Sequence, residues 1–432
     1  MIGLSSLKPK GYHPRIVDGQ VEELLGDFGG VEICGPRWCG KSWTSLAHGS
    51  SITRVDVNGA LFADDPSLAL AGAPPHIIDE WQDVPAIWNL VRHAIDDRGS
   101  EPGQFLLTGS SSPMESKGDS ARHSGAGRIA RLRMSTMTLL ELGVSSGLVS
   151  LGGLFRREFE PCSSQLGLAD VAELSCTGGW PALVGRQGAS GARIAGQYLD
   201  ALFEETMPKA RKSPQLARRI AASLARNVAT SAKLRTIAQD AGAGEDAAPA
   251  AETVSSYLQE FERNYFIEEL PGWDAPVRAK SRLRTKPKRY LADPSLVAAL
   301  LGVGPAKLLE DAQLFGLVFE SLAVHDLAVL ARCLPGYTRE SLRYYSDADG
   351  LEVDVIIELA DGRWAAIEVK LGESKVAEAE ASLMRLKAKV AANPAARNAD
   401  PAFMAVLLAK GAFARQLSES GVYVIPIDTL GA

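Results

Sequence analysis

The chain has 432 residues, 46% of them hydrophobic and 23% charged, with a formal net charge of −6. Such a composition is ordinary for a globular protein, and the length suffices for about three domains. The acidic balance argues against wholesale coating of nucleic acid, although it leaves room for a local basic surface. No apolar run approaches the ~20 residues of a membrane span, and residues 1–10 lack the apolar core of a signal peptide. Five cysteines (Cys34, Cys39, Cys162, Cys176, Cys333) are scattered without a Cys-x-x-Cys pair. Zinc and a disulfide framework are therefore not expected, and the reading is a reduced, cytoplasmic protein with small buried thiols at 34 and 39.

In chain order, residues 15–28 pattern as an amphipathic helix with Ile16, Val21, Leu24 and Leu25 as its apolar positions. A short strand at 30–34 leads into Gly35-Pro36-Arg37-Trp38-Cys39-Gly40-Lys41-Ser42, which fits the Walker A pattern G-x-x-x-x-G-K-[ST]. Gly35 and Gly40 permit positive φ that a Cβ would oppose. The curled backbone then points successive N–H groups inward as an anion nest. Lys41 can reach the β- and γ-phosphates of ATP, and the Ser42 hydroxyl can ligand Mg2+. The helix that begins there, with Trp43 in its first turn, adds its N-terminal dipole.

Residues 51–57 read as the next strand. The run His76-Ile77-Ile78-Asp79-Glu80 then has the form of Walker B: a buried strand delivers Asp79 to hold Mg2+, and Glu80 polarises the attacking water. The strand 104–110 ends in Thr108 and Ser110, hydroxyls placed to sense the γ-phosphate; a plain strand-to-turn transition would use the same residues. The polar, Gly/Ser-rich stretch 113–127 reads as a loop. Arg128 follows, and Arg131 and Arg133 lie on the strand-like stretch 129–134 after it. Arg128 is the candidate arginine finger, acting on a neighbouring subunit's nucleotide in an ATP-dependent homo-oligomer, against the alternative of a solvated basic segment.

The strings GPRWCGKS, IIDEWQDVP, FLLTGSS, GAGRI and LLEL together resemble the prokaryotic AAA+-type ATPases that carry a C-terminal domain of unknown function. The resemblance spans nearly the whole chain, with Trp38, Cys39 and an Ala/Gly-rich insertion at 241–251 as departures. It implies an ATPase core over residues 1–150 and a helical connection over 151–210. It also implies a Gly178-Gly179-Trp180-Pro181 element, read as a structural turn.

Residues 194–226 read as helices, the last over 216–226; helices over 233–242 and 252–261, then a strand at 266–270, follow in the order of a winged helix over 211–292. After them Arg278, Lys280, Arg282, Arg284, Lys286, Lys288 and Arg289 lie close together. All but Arg289 alternate, so a strand would present them on one face, as a basic ribbon for DNA or RNA phosphates or as a solvated interdomain face. Pro287 would interrupt that strand near its end.

Residues 293–432 carry a second constellation. Glu320 lies on a helix over 315–331, Asp354 on a strand over 352–358, and Glu368 and Lys370 on a strand over 364–370 reached through the turn Asp361-Gly362. Alternation puts Glu368 and Lys370 on one face. Helix acid, strand Asp, then Glu-x-Lys resembles the PD-(D/E)XK nuclease core, in which Glu320, Asp354 and Glu368 would hold Mg2+ and Lys370 would orient water. Two cross-strand salt bridges on a hairpin would use the same residues. The expected architecture is α/β: a P-loop AAA+-like domain, a winged helix and a PD-(D/E)XK-like domain. Three functions remain open: an ATPase governing a Mg2+-dependent nuclease, an ATPase switch whose C-terminal domain only binds nucleic acid or protein, and a DNA-binding regulator with ATP as ligand.

Overall fold

The structure, a computed structural model, describes residues 7–111, 127–186, 190–244, 247–276, 279–396 and 400–432. The chain divides into two compact units: Met1–Thr136 with Phe261–Phe266, and Met137–Glu260 with Ile267–Ala432.

The first unit alternates helix and strand: α1 (Val17–Asp27), β1 (Gly30–Cys34), α2 (Lys41–His48), β2 (Ser51–Arg54), β3 (His76–Asp79), α3 (Ala86–Asp97), β4 (Phe105–Gly109) and β5 (Ile129–Arg133). Among the described residues these strands form a five-stranded sheet in the order β2-β3-β4-β1-β5. Every pairing is parallel. A parallel sheet is covered on both faces, so its strands are continuously apolar. Successive residues accordingly serve opposite cores. Ile78, Phe105 and Leu107 pack with Trp88, Val91 and Ile95 of α3, whereas Ile77, Leu106, Val31 and Ile33 pack with Val17 and Val21 of α1. Each such side chain stabilises by about 1.5–3 kcal/mol on burial. The short stretch 261–266 belongs to this unit through Tyr265: Arg131 donates to its hydroxyl at 3.2 Å, and the Arg133 guanidinium lies 5.3 Å from its ring centroid. The stretch 112–126, most of the expected polar loop, lies outside the described residues.

The N-terminal part of the second unit includes a two-residue strand, β6 (Cys162–Ser163), and the helices α4 (Leu168–Thr177), α5 (Gly191–Asp200), α6 (Pro214–Arg226) and α7 (Leu234–Ala241). Next come α8 (Ala251–Arg263), which runs into the 261–266 stretch, and an antiparallel pair, β7 (Ile267–Leu270) with β8 (Lys288–Leu291). The 178–181 element is a packed turn. Gly179 N–H donates to Asp293 at 2.9 Å, and the Trp180 indole donates to Ser295 at 2.9 Å. A Cβ on Gly179 would lie 2.0 Å from the Met137 carbonyl oxygen, which explains the glycine.

The remainder is α9 (Pro294–Leu301), α10 (Ala312–Ala331), β9 (Leu342–Ser346), β10 (Glu352–Glu358), β11 (Trp364–Gly372), α11 (Val376–Ala391), β12 (Phe403–Lys410), β13 (Phe413–Gln416) and β14 (Tyr423–Pro426). Among the described residues they form a seven-stranded sheet with β6, in the order β9-β10-β11-β12-β14-β13-β6. The β9-β10-β11 meander is antiparallel, and β11-β12-β14 are parallel. The Asp361-Gly362 turn forms as the sequence predicts, with Gly362 at φ +86°. Trp364, Ala366, Met404, Val406 and Leu408 of the sheet pack against Leu383 and Leu386 of α11. Helix α10 is long and apolar enough to cross a membrane by composition, yet most of it is buried inside the protein.

One expected element does not form. The alternating basic strand is broken: Ser281–Arg284 is a helical turn, closed by Thr285 N–H on the Ser281 carbonyl at 2.9 Å. Strand β8 starts only at Lys288, immediately after Pro287, which has no N–H for a ladder.

Candidate functional site

The Walker A residues form the turn between β1 and α2. Gly35 has φ +156° and Gly40 φ +106°. A Cβ on Gly35 would sit 2.1 Å from the Met134 carbonyl oxygen, so the turn can pass there only as glycine. The Lys41 ammonium is buried and donates to the Gly35 and Pro36 carbonyls at 3.0 and 2.8 Å. Pro36 and Cys39 are buried, Arg37 is half-buried, and Trp38 and Trp43 are exposed. Trp38 takes a left-handed conformation with φ 63°.

Parallel order brings the C-terminal ends of β1, β3 and β4 to the same edge. Ser42 Oγ donates to Asp79 Oδ1 at 2.9 Å, and Thr108 Oγ1 donates to the same oxygen. A hydroxyl and a carboxylate in contact are the hard oxygen pair that Mg2+ prefers. Glu80, left-handed at φ 56°, turns its carboxylate toward Ser110, which donates to it at 2.8 Å. Gln82 donates to the same carboxylate from two residues on. Every predicted nucleotide residue from Gly35 to Trp43, with Asp79, Glu80, Thr108 and Ser110, therefore belongs to this strand edge and its loops.

Two residues of this site escaped the sequence reading. One is Gln82. The other is Arg15, buried just before α1, whose guanidinium donates to the Cys39 carbonyl at 2.7 Å and the Ser135 carbonyl at 2.9 Å. It braces the loop from below. A lone arginine at a helix entrance carries no sequence signal for that role.

The arginines after the polar loop point elsewhere. Arg128 stands at the N-terminal end of β5, the opposite end of the sheet from the Walker A turn, and its Nε donates to Asp96 at 2.8 Å. It therefore has no place in this subunit's own nucleotide site. Arg131 pairs with buried Glu32 at 2.9 Å, and Arg133 faces Tyr265.

The second constellation assembles within the other unit. Lys370 Nζ lies 2.5 Å from Glu368 Oε2 and 3.3 Å from Asp354 Oδ2, while Val369 N–H donates to Asp354 Oδ2 at 2.9 Å. Asp354 and Glu368 thus converge on one side, as alternation predicts. A residue outside the expected set sits among them. Lys288, from β8, is buried with its ammonium 2.9 Å from Glu320, 3.3 Å from Asp354 and 2.7 Å from Glu352. Tyr290 also donates to Glu320, at 2.8 Å.

Charge in this centre follows burial first. Burial pushes Glu368 up to about 8, helped by the Asp354 carboxylate. Burial and Asp354 push Glu320 up to about 7. Burial opposes ionisation of Asp354 as well, but the ammoniums of Lys288 and Lys370 hold it below the usual carboxylate range. Both lysines stay charged, since their carboxylate neighbours outweigh the burial that works against them.

The expected metal shell of Glu320, Asp354 and Glu368 is not found. Among the described residues no three His, Cys, Asp or Glu side chains are grouped to hold a metal ion. The Lys288 ammonium lies between two of these carboxylates, Glu320 and Asp354.

The basic cluster is likewise corrected. Arg282 is turned inward onto Glu358, Lys288 is buried, and Arg289 pairs with Glu269 at 2.8 Å. Lys280 and Lys286 are exposed. Arg278 lies outside the described residues, and of Arg284 only the backbone is described.

Comparison with known proteins follows this division. Residues 29–143 match the AAA domain family, residues 168–307 a domain of unknown function (DUF8612), and residues 315–430 another (DUF4143). The uncharacterized proteins Rv2008c of Mycobacterium tuberculosis and Mb2031c of Mycobacterium bovis are each 28% identical over 352 residues, 79% of this chain and 70% of theirs. Among solved structures, the Walker-type ATPase paby2304 of Pyrococcus abyssi is 12% identical, covering 69% of this chain and 99% of its own, with a TM-score of 0.42. AMPPCP-bound DnaA from Aquifex aeolicus is 15% identical, covering 60% and 92%, with a TM-score of 0.26. Likenesses at those scores add nothing to the fold assignment. The family match and the Walker geometry make the first unit a P-loop ATPase-type domain.

Proposed function

We propose that the protein is an ATP-binding and ATP-hydrolysing switch whose nucleotide cycle governs a winged-helix-like middle and a PD-(D/E)XK-like C-terminal module. The observation that carries this reading is the Ser42–Asp79 contact beside Lys41, with Glu80 held one residue further on by Ser110. The Gly35–Ser42 backbone would bind the phosphates. Lys41, now on two carbonyls, would exchange them for phosphate oxygens. Ser42 and Asp79 would hold Mg2+, which neutralises phosphate charge when bound. Glu80 would orient the water once it leaves Ser110 and Gln82, and Thr108 would report the γ-phosphate to Asp79. Arg128, remote from its own site, is proposed to act on a neighbouring subunit in an ATP-dependent oligomer.

Of the two outputs the sequence allows, a catalytically silent module that binds nucleic acid or protein is favoured over a Mg2+-dependent nuclease. Lys288 among the carboxylates supports that choice. Exposed Lys280 and Lys286 are the remaining members of the basic cluster for phosphate contact. The test is ATP turnover and nucleotide binding measured together. Lys41→Ala should lose binding, and Glu80→Gln should keep binding and lose turnover; undiminished hydrolysis by Glu80→Gln refutes the assignment.

A further inference from the structure

A divalent cation at a carboxylate cluster needs two or three oxygens aimed at one point, with that point free of other positive charge. Oxygen-to-cation distances are about 2.0–2.6 Å for Mg2+ and Ca2+. The centre in the second unit has the carboxylates but not the vacant point. An ammonium has three N–H donors and no acceptor. Lys288 Nζ has three carboxylate partners, Glu320 on α10 and Glu352 and Asp354 on β10. Its donors are fully used. Asp354 is engaged on both sides, Oδ1 by Lys288 and Oδ2 by Lys370 and the Val369 N–H. Glu368 is engaged by Lys370. A cation bridging Asp354 and Glu368 would share its oxygens with two ammoniums, and like charges that close repel strongly.

Nor is Lys288 a loose surface lysine that a cation could brush aside. Its side chain is 2% exposed. The segment that carries it is tied down on both sides. The Tyr344 hydroxyl donates to the Lys286 carbonyl at 2.5 Å. Lys288 Nζ lies 5.4 Å from the Tyr344 ring centroid. Two residues on, Tyr290 lands on Glu320 by the same face of β8.

We propose that this centre excludes divalent metal, that Lys288 is the residue responsible, and that the lysine-filled cluster is a polar clamp joining the β7–β8 pair to the nuclease-like sheet. The carboxylates expected to hold metal act instead as the anchor for a lysine supplied from outside the Asp354–Lys370 hairpin. The inference is independent of whether the first unit hydrolyses ATP.

The test is Mn2+ binding to the full chain by electron paramagnetic resonance, in a Lys41→Ala background to suppress nucleotide-linked metal. The Asp354→Asn variant identifies any ion bound at this centre. The expected result is that the parent and Asp354→Asn bind Mn2+ alike, while Lys288→Met gains a site at least ten-fold tighter, lost again in Lys288→Met with Asp354→Asn. Mn2+ binding by the parent that Asp354→Asn abolishes would overturn the proposal. So would a folded Lys288→Met protein, checked by circular dichroism, that gains no Mn2+ site. If Lys288→Met does not fold, the comparison of the parent with Asp354→Asn decides alone.

Discussion

Arg282 offers the sharpest test of how the basic cluster is used. Its guanidinium forms a two-pronged pair with Glu358 at 2.7 and 3.0 Å, and its Nε donates to the Asp274 carbonyl at 2.7 Å. Its Cζ lies 5.7 Å from the Trp273 ring centroid. The two side chains are only 9% and 16% exposed, so solvent screens the pair weakly. Removing one partner of a buried pair costs about 3–5 kcal/mol, because the other charge is left uncompensated. Charge reversal by Arg282→Glu puts two carboxylates together and should reach at least the middle of that range. For a unit of this size about 2 °C is lost per kcal/mol, which predicts a fall of roughly 8–10 °C in melting temperature. The assay is thermal denaturation of the full chain by tryptophan fluorescence, analysed as two transitions because two units need not unfold together. Exposed Lys286→Glu is the control, expected within ~0.5 kcal/mol of wild type. An Arg282→Glu protein that melts with wild type while losing salt-dependent DNA binding would refute the reasoning and restore a phosphate-contacting strand.

Two further outcomes follow from the first unit. Gly35→Ala should abolish nucleotide binding, measured by fluorescent-ATP titration, because its Cβ would meet the Met134 carbonyl at 2.1 Å; affinity within two-fold of wild type would contradict the geometry. Asp18 is held below its ordinary range: burial opposes its charge, but His48, Tyr12 and the Arg15 N–H outweigh burial. A depressed carboxyl contributes stability that is present above its unfolded pKa and is lost as pH falls through the folded one. Asp18→Asn should therefore cost about 1.5–3 kcal/mol at pH 7 and progressively less below pH 4 in denaturant melts; a penalty that grows on acidification would reverse the assigned sign.

How much of this was legible depended on the range of the interactions. The Walker A turn is local: glycine spacing, strand before and helix after are adjacent in the chain, so Gly35 to Ser42 could be placed without tertiary knowledge. The Glu368–Lys370 face follows from strand periodicity and the Asp361-Gly362 turn, which fixes β10 against β11. Lys288 was misread because its fate is set by Glu320 and Asp354, 32 and 66 residues away. Alternation from 278 to 288 suggested a wet ribbon, whereas the strand begins only at 288. A signal was present. Lys288 and Tyr290 share a strand face in Lys-Arg-Tyr-Leu-Ala, just where the sequence turns apolar, and a lysine opening such a run has reason to be buried with partners.

The return of residues 261–266 to the first unit has a consequence for how such a protein can evolve. The first unit, though not its sheet, is assembled from two separate stretches of the chain. Tyr265, which receives Arg131 and Arg133, lies 132 positions beyond Arg133 in the chain. A recombination event that joined a foreign output module after Thr136 would deliver β5 without its aromatic companion. Gene shuffling at a single junction therefore cannot trade the output half freely. Exchange must carry the 261–266 stretch along or recreate it, so the nucleotide sheet and its appended module are expected to be inherited as a pair.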